Sequence, residues 1–264
     1  MKIQNTLISI LIINFNNAKL VSRAINSCLK QSYKNFEIII FDDKSNDNSR
    51  SIIERFKRFK KVKIYFNKEN KKKIPALDAM NAYINIFKKS QGSIICLLDS
   101  DDYFHKNKIG KILNVFRKYP KINFVQNLPY LTGGKKIQKK KNKNNPPSFW
   151  PYLAPESCIS FRKKFMLNFL KNNKKFINKF ENVWMGFRMG AYSFFKQKSF
   201  YTLNENLTYY ESLGESKKYK FLSKNWIKRR RDSFDYLKKI SKGSMSLDKN
   251  LDYLITKFLT SLYK

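Results

Sequence analysis

Three aspartates, Asp99, Asp101 and Asp102, follow directly on the apolar run Ile94-Ile95-Cys96-Leu97-Leu98. A continuous apolar run with a polar boundary reads as a strand buried on both faces. Its carboxyl end is where open α/β sheets hold their ligands. Carboxylates this close repel one another, so a cation or a hydrogen-bond network must compensate them. Oxygen donors of this kind suit Mg2+ or Mn2+, ions usually held by one or two carboxylates together with substrate phosphates. Two readings stand: a metal–diphosphate site, or a loop whose acids cap the helix after Phe104. A second acidic pair, Asp42-Asp43, closes the run Phe36–Phe41.

The surrounding elements place both acid clusters at strand ends. Leu7–Ile13 is a β-branched strand broken by Asn14-Phe15-Asn16-Asn17, and a helix is expected over 18–31. After Asp43, the segment Lys44–Ser49 is rich in capping residues and should open a helix with Ile52, Ile53 and Phe56 inward. Val62–Phe66 is a strand, Pro75 opens a helix to about Lys89, and Gly92 resets the chain into the acid-ended strand. This β-α-β-α-β-α-β order predicts an α/β fold with a mostly parallel sheet, right-handed crossovers and one crevice at the converging strand ends.

The formal net charge is +36, which favours anionic partners: nucleic acid, an acidic membrane surface or phosphorylated substrates. Composition drift toward Lys, Asn, Ile and Phe accounts for part of it. A nucleic-acid-binding protein would explain the charge but gives three clustered carboxylates no role. Cys28, Cys96 and Cys158 form no CxxC pair, so neither a zinc site nor a disulfide framework is expected. The single histidine, His105, reads as a surface residue at a helix start. No apolar run reaches the ~18–20 residues of a membrane span, and no signal peptide is evident. The expected location is cytoplasmic, with peripheral attachment to the inner face of a membrane as an option.

Several segments together resemble the family 2 glycosyltransferases of the GT-A (Rossmann-like) fold. Ile8–Asn16 resembles their opening strand, and Ala24–Ile40 their next helix and strand. Asp42-Asp43-Lys44-Ser45-Asn46-Asp47 resembles their Asp-Asp-Gly-Ser-x-Asp turn, with Lys44 in place of glycine, and Asn14 replaces a usual proline. Leu97–Asp102 resembles their Asp-x-Asp signature. The resemblance implies that Phe15, Asn16 and Asp43 contact the base and ribose of a nucleotide-sugar. It places Asp99 and Ser100 at the nucleotide-sugar too, Asp101 on a divalent ion (Mn2+ or Mg2+), and Asp102 as a second ligand or a loop support. Lys73, in the run Lys71-Lys72-Lys73, stands near where relatives carry a diphosphate-binding arginine; a solvated charge run is the alternative.

The second half is less regular. A helix is expected from Lys106 to Tyr119, a strand over Asn123–Leu128, and a lysine-rich loop from Thr132 to Pro147. Trp150 lies in an aromatic, proline-rich stretch and is expected to pack in the core, an acceptor platform being the alternative. Ser157–Arg162 resembles the strand after the family's acceptor loop. Phe180–Arg188 resembles the helix that supplies the catalytic base, but the usual carboxylate position holds Asn182. An amide cannot take a proton, so either Glu181 serves instead, or the base lies elsewhere, or activity is lost; Glu181 is the expected base, its alternative role being to cap a helix start. Arg188 is expected to pair with an acid. After the strand segments at 200–210, residues 216–264 read as two helices. The first is basic and aromatic, fitting either an interfacial segment or a packed helix with a charged outer face. The second follows a break at Gly243, is capped by Ser246, and carries Leu247, Leu251, Leu254, Ile255, Phe258, Leu259 and Leu262.

The expected organisation is a GT-A domain over 1–212, with a nucleotide-sugar half (1–105) and an acceptor half (106–212), and a basic helical extension over 213–264. The expected activity is inverting, metal-dependent sugar transfer to a saccharide or lipid-linked acceptor in surface polysaccharide or lipopolysaccharide synthesis. An inactive nucleotide-sugar-binding relative is the alternative that Asn182 suggests.

Overall fold

The structure is a computed structural model that describes residues 5–68, 74–132, 138–139, 149–211, 220–242 and 245–262. The lysine run at 71–73 and most of the lysine-rich loop lie outside these residues.

Strands β1 (Ile8–Asn14), β2 (Phe36–Asp42), β3 (Val62–Phe66) and β4 (Ile94–Asp99) form the parallel half of one sheet in the order β3-β2-β1-β4. Helices α1 (Val21–Leu29), α2 (Ser49–Glu54) and α3 (Pro75–Phe87) make the crossovers. Along the strands, side chains alternate between two cores, as the two-residue period of a strand requires. Ile10, Ile12, Ile38, Ile40, Cys96 and Leu98 meet α1, α2 and α4 (Lys108–Lys118) on one face. Leu11, Ile39, Ile95 and Leu97 meet α3 on the other. Burial on both faces explains why these strands read as unbroken apolar runs.

The second half continues the sheet. Strand β5 (Tyr103–Phe104) follows the acid triplet, and β6 (Phe124–Leu131), β7 (Gln138–Lys139), β8 (Ile159–Arg162) and β9 (Phe200–Tyr210) complete nine strands. The path continues β4-β8-β6-β9-β5, with β7 paired to β6. Here β8 runs antiparallel to both β4 and β6, whereas β6 and β9 are parallel. The expected α/β class, sheet flanked by helices and C-terminal helices are all present.

Helices α5 (Lys163–Asn173), α6 (Met185–Ala191) and α7 (Lys224–Ser241) join the core beside α3. Trp150 is packed there, 4.9 Å from the Phe187 ring and 5.0 Å from the Phe234 ring, the role expected of it. Helix α7 is the packed alternative of the two readings for the basic segment: it buries Phe234, Tyr236, Leu237 and Ile240 in that core. Its start is Ser223, whose hydroxyl accepts the Trp226 N–H at 3.2 Å. Helix α8 (Leu251–Ser261) starts later than the sequence suggested. Asn250, not Ser246, caps it by accepting the Tyr253 N–H at 3.0 Å.

Gly92 shows why glycine precedes β4. A Cβ there would sit 2.5 Å from the Ser9 backbone nitrogen and 2.9 Å from the Ile8 carbonyl carbon. Its own N–H donates to Ser9 Oγ at 2.8 Å, so the chain enters the sheet in contact with β1.

Candidate active site

The carboxyl ends of β1, β2 and β4 open into two adjoining cavities of about 400 and 330 Å3. They share Ile13, Ala79, Asp99, Asp101 and Trp184, so they are two ends of one cleft. Parallel register puts Ile13 beside Asp99 and Asn14 beside Asp42. The smaller end is also lined by Phe15, Asn17, Asp43, Asp78 and Ser100, and the larger by Glu156, Phe187, Tyr210, Glu211 and Arg229.

The loop after β2 is built by its first aspartate. Asp42 is buried; its Oδ1 accepts the Ser45 N–H at 2.9 Å, and its Oδ2 accepts Ser45 Oγ at 2.7 Å and Asn14 Nδ2 at 2.7 Å. Asn14 thus ties two loops together where a proline, lacking side-chain donors, could not. Lys44 has φ +54°, the left-handed region in which glycine is the unstrained residue. The second aspartate, Asp43, faces the cleft and accepts Asn67 Nδ2 at 2.7 Å.

Asp99 and Asp101 line both ends of the cleft. Tyr83 OH donates to Asp99 Oδ1 at 2.7 Å, and the Asp99 N–H donates to Ser157 Oγ at 2.9 Å. Burial, then the nearby Glu156 and Asp101 charges, push the Asp99 carboxyl up to about 8. Burial also raises Asp101, with the Glu211 charge adding to it. Among the described residues no lysine or arginine forms an ion pair with either side chain. Two desolvated carboxyl groups facing a cavity are a donor set that fits a hard divalent cation. No cluster of three or more His, Cys, Asp or Glu residues shaped for a metal occurs among the described residues.

The other expected residues are dispersed. Asp102 is fully buried and lines neither cavity; its Oδ1 accepts the Glu211 N–H at 2.7 Å. That hydrogen bond ties the loop after β4 to the end of β9. Asn16 is exposed and outside the cavity lining, its Oδ1 accepting the Asn46 N–H at 2.8 Å. Lys73 lies outside the described residues. Glu181 is exposed in the turn ahead of α6 and lines neither cavity. It does not cap that helix, since the residue at the helix start is Trp184. Asn182 turns away to donate to Asp232 Oδ2 on α7 at 2.7 Å.

Glu156, which sequence reasoning missed, is one of the carboxyl groups lining the larger cavity. It precedes β8 and accepts the Gly186 N–H at 3.0 Å. A Cβ at Gly186 would lie 3.0 Å from that same oxygen and 2.7 Å from Ile159 Cδ1, so the contact depends on glycine. Burial raises the Glu156 carboxyl above the ordinary range, and the Arg229 charge works against the rise. Arg229 lines the same cavity from α7, a helix the sequence assigned to an extension.

A family description, "Glycosyl transferase family 2", matches residues 9–204. The chain belongs to the glycosyl transferase family 2. Over 130 residues it is 33% identical to an uncharacterized glycosyltransferase of Nostoc sp., covering 49% of this chain and 38% of that protein. Over 157 residues it is 29% identical to the UDP-Glc:alpha-D-GlcNAc-diphosphoundecaprenol beta-1,3-glucosyltransferase WfgD of Escherichia coli, covering 60% and 54%. The chain therefore spans about half or less of these family members. In fold it is similar to S. aureus TarS 1-349, solved in complex with UDP-GlcNAc, with a TM-score of 0.64 and 16% identity over 97% of this chain and 71% of that one. No helix among the described residues is long and apolar enough to cross a membrane.

Proposed function

We propose that the chain transfers a sugar, with inversion, from a nucleotide-sugar donor to a saccharide or lipid-linked saccharide acceptor in surface-polysaccharide synthesis. The observation that carries this reading is the convergence of Asp43, Asp99 and Asp101 on one cleft at three parallel strand ends. The smaller end takes the nucleoside: Phe15 offers a ring face to the base, and Asp43, Asp99 and Ser100 offer hydrogen-bond partners to the ribose. Asp101, with Asp99 beside it, would hold Mg2+ or Mn2+ at the diphosphate. Such an ion, when bound, supplies charge neutralisation to the departing nucleoside diphosphate. Asn16 remains outside this assignment.

The larger end takes the acceptor. Glu156 is assigned the base role expected of Glu181, because it faces the cleft and its carboxyl is shifted toward proton uptake. In a single displacement the acceptor oxygen bonds to the anomeric carbon, the bond from that carbon to the diphosphate oxygen breaks, and the acceptor proton passes to Glu156. Trp184 and Phe187 provide apolar surface against which a sugar ring can lie. The Escherichia coli relative, whose name specifies a UDP-sugar donor and a diphosphoundecaprenol-linked acceptor, supports this substrate class. An acceptor of that kind goes with a position on the inner membrane face.

Calorimetry of UDP-sugars with and without Mn2+ tests the reading. Metal-dependent binding is expected in the parent chain and lost in Asp101→Ala. A parent chain that binds no nucleotide-sugar in the presence of metal would remove the basis for the proposal.

A further inference from the structure

Helix α8 is amphipathic in the reverse sense of a core helix. Leu251, Leu254, Ile255 and Phe258, with Leu262 just beyond its end, recur at i, i+3, i+4, i+7 and i+11, one face of a helix. Every one of them is exposed, Phe258 and Leu262 by 63% each. The one buried residue of the helix is Thr256. The contacts to α7 are polar or aromatic: Arg230 binds Asp252 and donates to Thr256 Oγ1 at 3.1 Å, Lys238 reaches the Tyr253 hydroxyl, and the Tyr253 ring lies 5.3 Å from that of Phe234. The helix is thus held by its polar side and turns its apolar side outward, a pattern that marks an interaction surface.

The pairs Lys238–Tyr253 and Arg230–Thr256 show that α7 and α8 run antiparallel. That brings the start of α7, where Phe221 is 77% exposed, toward the end of α8 that carries Leu262.

Charge identifies the occupant. Among the described residues between 220 and 262, nine exposed side chains are lysine or arginine, including Lys242, Lys249 and Lys257, against one exposed carboxylate, Asp248. A second copy would bring like charge to like charge. An anionic surface complements both features, accepting the apolar stripe below its headgroups and the cations among them.

We propose that α8 seats the protein on an anionic lipid bilayer, its Leu251–Leu262 stripe entering the interface and the surrounding lysines lying on lipid phosphates. The proposal refines the membrane-side reading of the acceptor, but its test requires no donor, metal or turnover.

Sedimentation with vesicles of phosphatidylcholine containing about 30% phosphatidylglycerol is compared with pure phosphatidylcholine, for the parent chain and a Leu254→Asp/Phe258→Asp double variant. Both changed residues are exposed, and a thermal melt checks that the variant is folded. The parent chain is expected to prefer the anionic vesicles by about tenfold or more, and the double variant to lose about tenfold in partitioning. Equal partitioning of parent and variant would overturn the proposal, because charge alone would then suffice. So would absence of parent binding, or a concentration-dependent dimer that the double variant abolishes while vesicle binding persists.

Discussion

The Asp102 carboxylate accepts the backbone N–H of Glu211 at 2.7 Å across 109 residues of sequence. Glu211 pairs with Arg23 at 3.3 Å, and Arg23 donates to the Asp101 carbonyl at 2.6 Å. The loop that carries Asp101 is therefore fixed from the end of β9 and from α1. Asp102→Ala should cost about 2–4 kcal/mol, since it leaves the partly buried Glu211 N–H unpaired and opens a small void. Asp102→Asn keeps an acceptor oxygen and removes the repulsion from Asp101 and Asp99 that, after burial, holds this carboxyl far above its usual range. Chemical denaturation should place Asn within about 1 kcal/mol of the parent chain and well above Ala.

Arg188 departs from its expected pairing with an acid. It is fully buried and donates instead to four carbonyls: Val183 at 2.8 Å, Ile177 at 2.6 Å, and Lys179 and Phe180 at 2.7 Å each. Burial lowers its guanidinium to about 10, so it stays charged at neutral pH. Lysine has three donors and no planar fork, so Arg188→Lys should lose about 3 kcal/mol or more in denaturant melts. An Arg188→Lys chain as stable as the parent would show that the turn before α6 does not need this clasp.

At the opposite end of the strands, Glu37 gathers Ser9 Oγ at 2.6 Å, the Gln91 N–H at 2.6 Å and Lys63 Nζ at 2.8 Å. Burial alone would raise this carboxyl, but the bonds from Lys63, Ser9 and Gln91 outweigh it and the result is a lowered value. A carboxyl lowered on folding adds stability above its unfolded value and loses it as pH falls through the folded one. Glu37→Gln should therefore cost about 1 kcal/mol at pH 7, with the difference from the parent closing at acid pH. Parallel stability curves from neutral to acid pH would contradict this sign.

Glu156→Gln and Glu181→Gln separate the two candidate bases. The first should reduce transfer by about a hundredfold or more while leaving donor binding within about threefold. The second should keep most of the activity. The reverse ranking would return the base to Glu181.

The parallel half of the sheet was legible in the sequence because its signals are local. Buried parallel strands produce unbroken apolar runs, and the observed Val62–Phe66 and Phe36–Asp42 lie where those runs end. Asp43, Asp99 and Asp101 could be read because strand ends of a parallel sheet converge. Asp102 could not be separated from Asp101 by type or spacing; only the fold shows that one faces the cleft and the other the end of β9. Glu156 and Arg229 carried no signal, since one stands in an irregular stretch and the other in a run of like charges. They become neighbours of Asp99 only through the antiparallel β8 and the docking of α7. The α8 stripe was visible as a pattern, but periodicity does not say which way an apolar face turns.

The matched family region closes at residue 204, yet α7 begins at Lys224 and furnishes both Arg229 in the cavity wall and Phe234, Tyr236 and Leu237 in the core. A gene trimmed to the matched block would yield a product missing one wall of the cleft and displaying a raw hydrophobic scar. In this protein the folded unit around the cleft outruns the homology that identifies it.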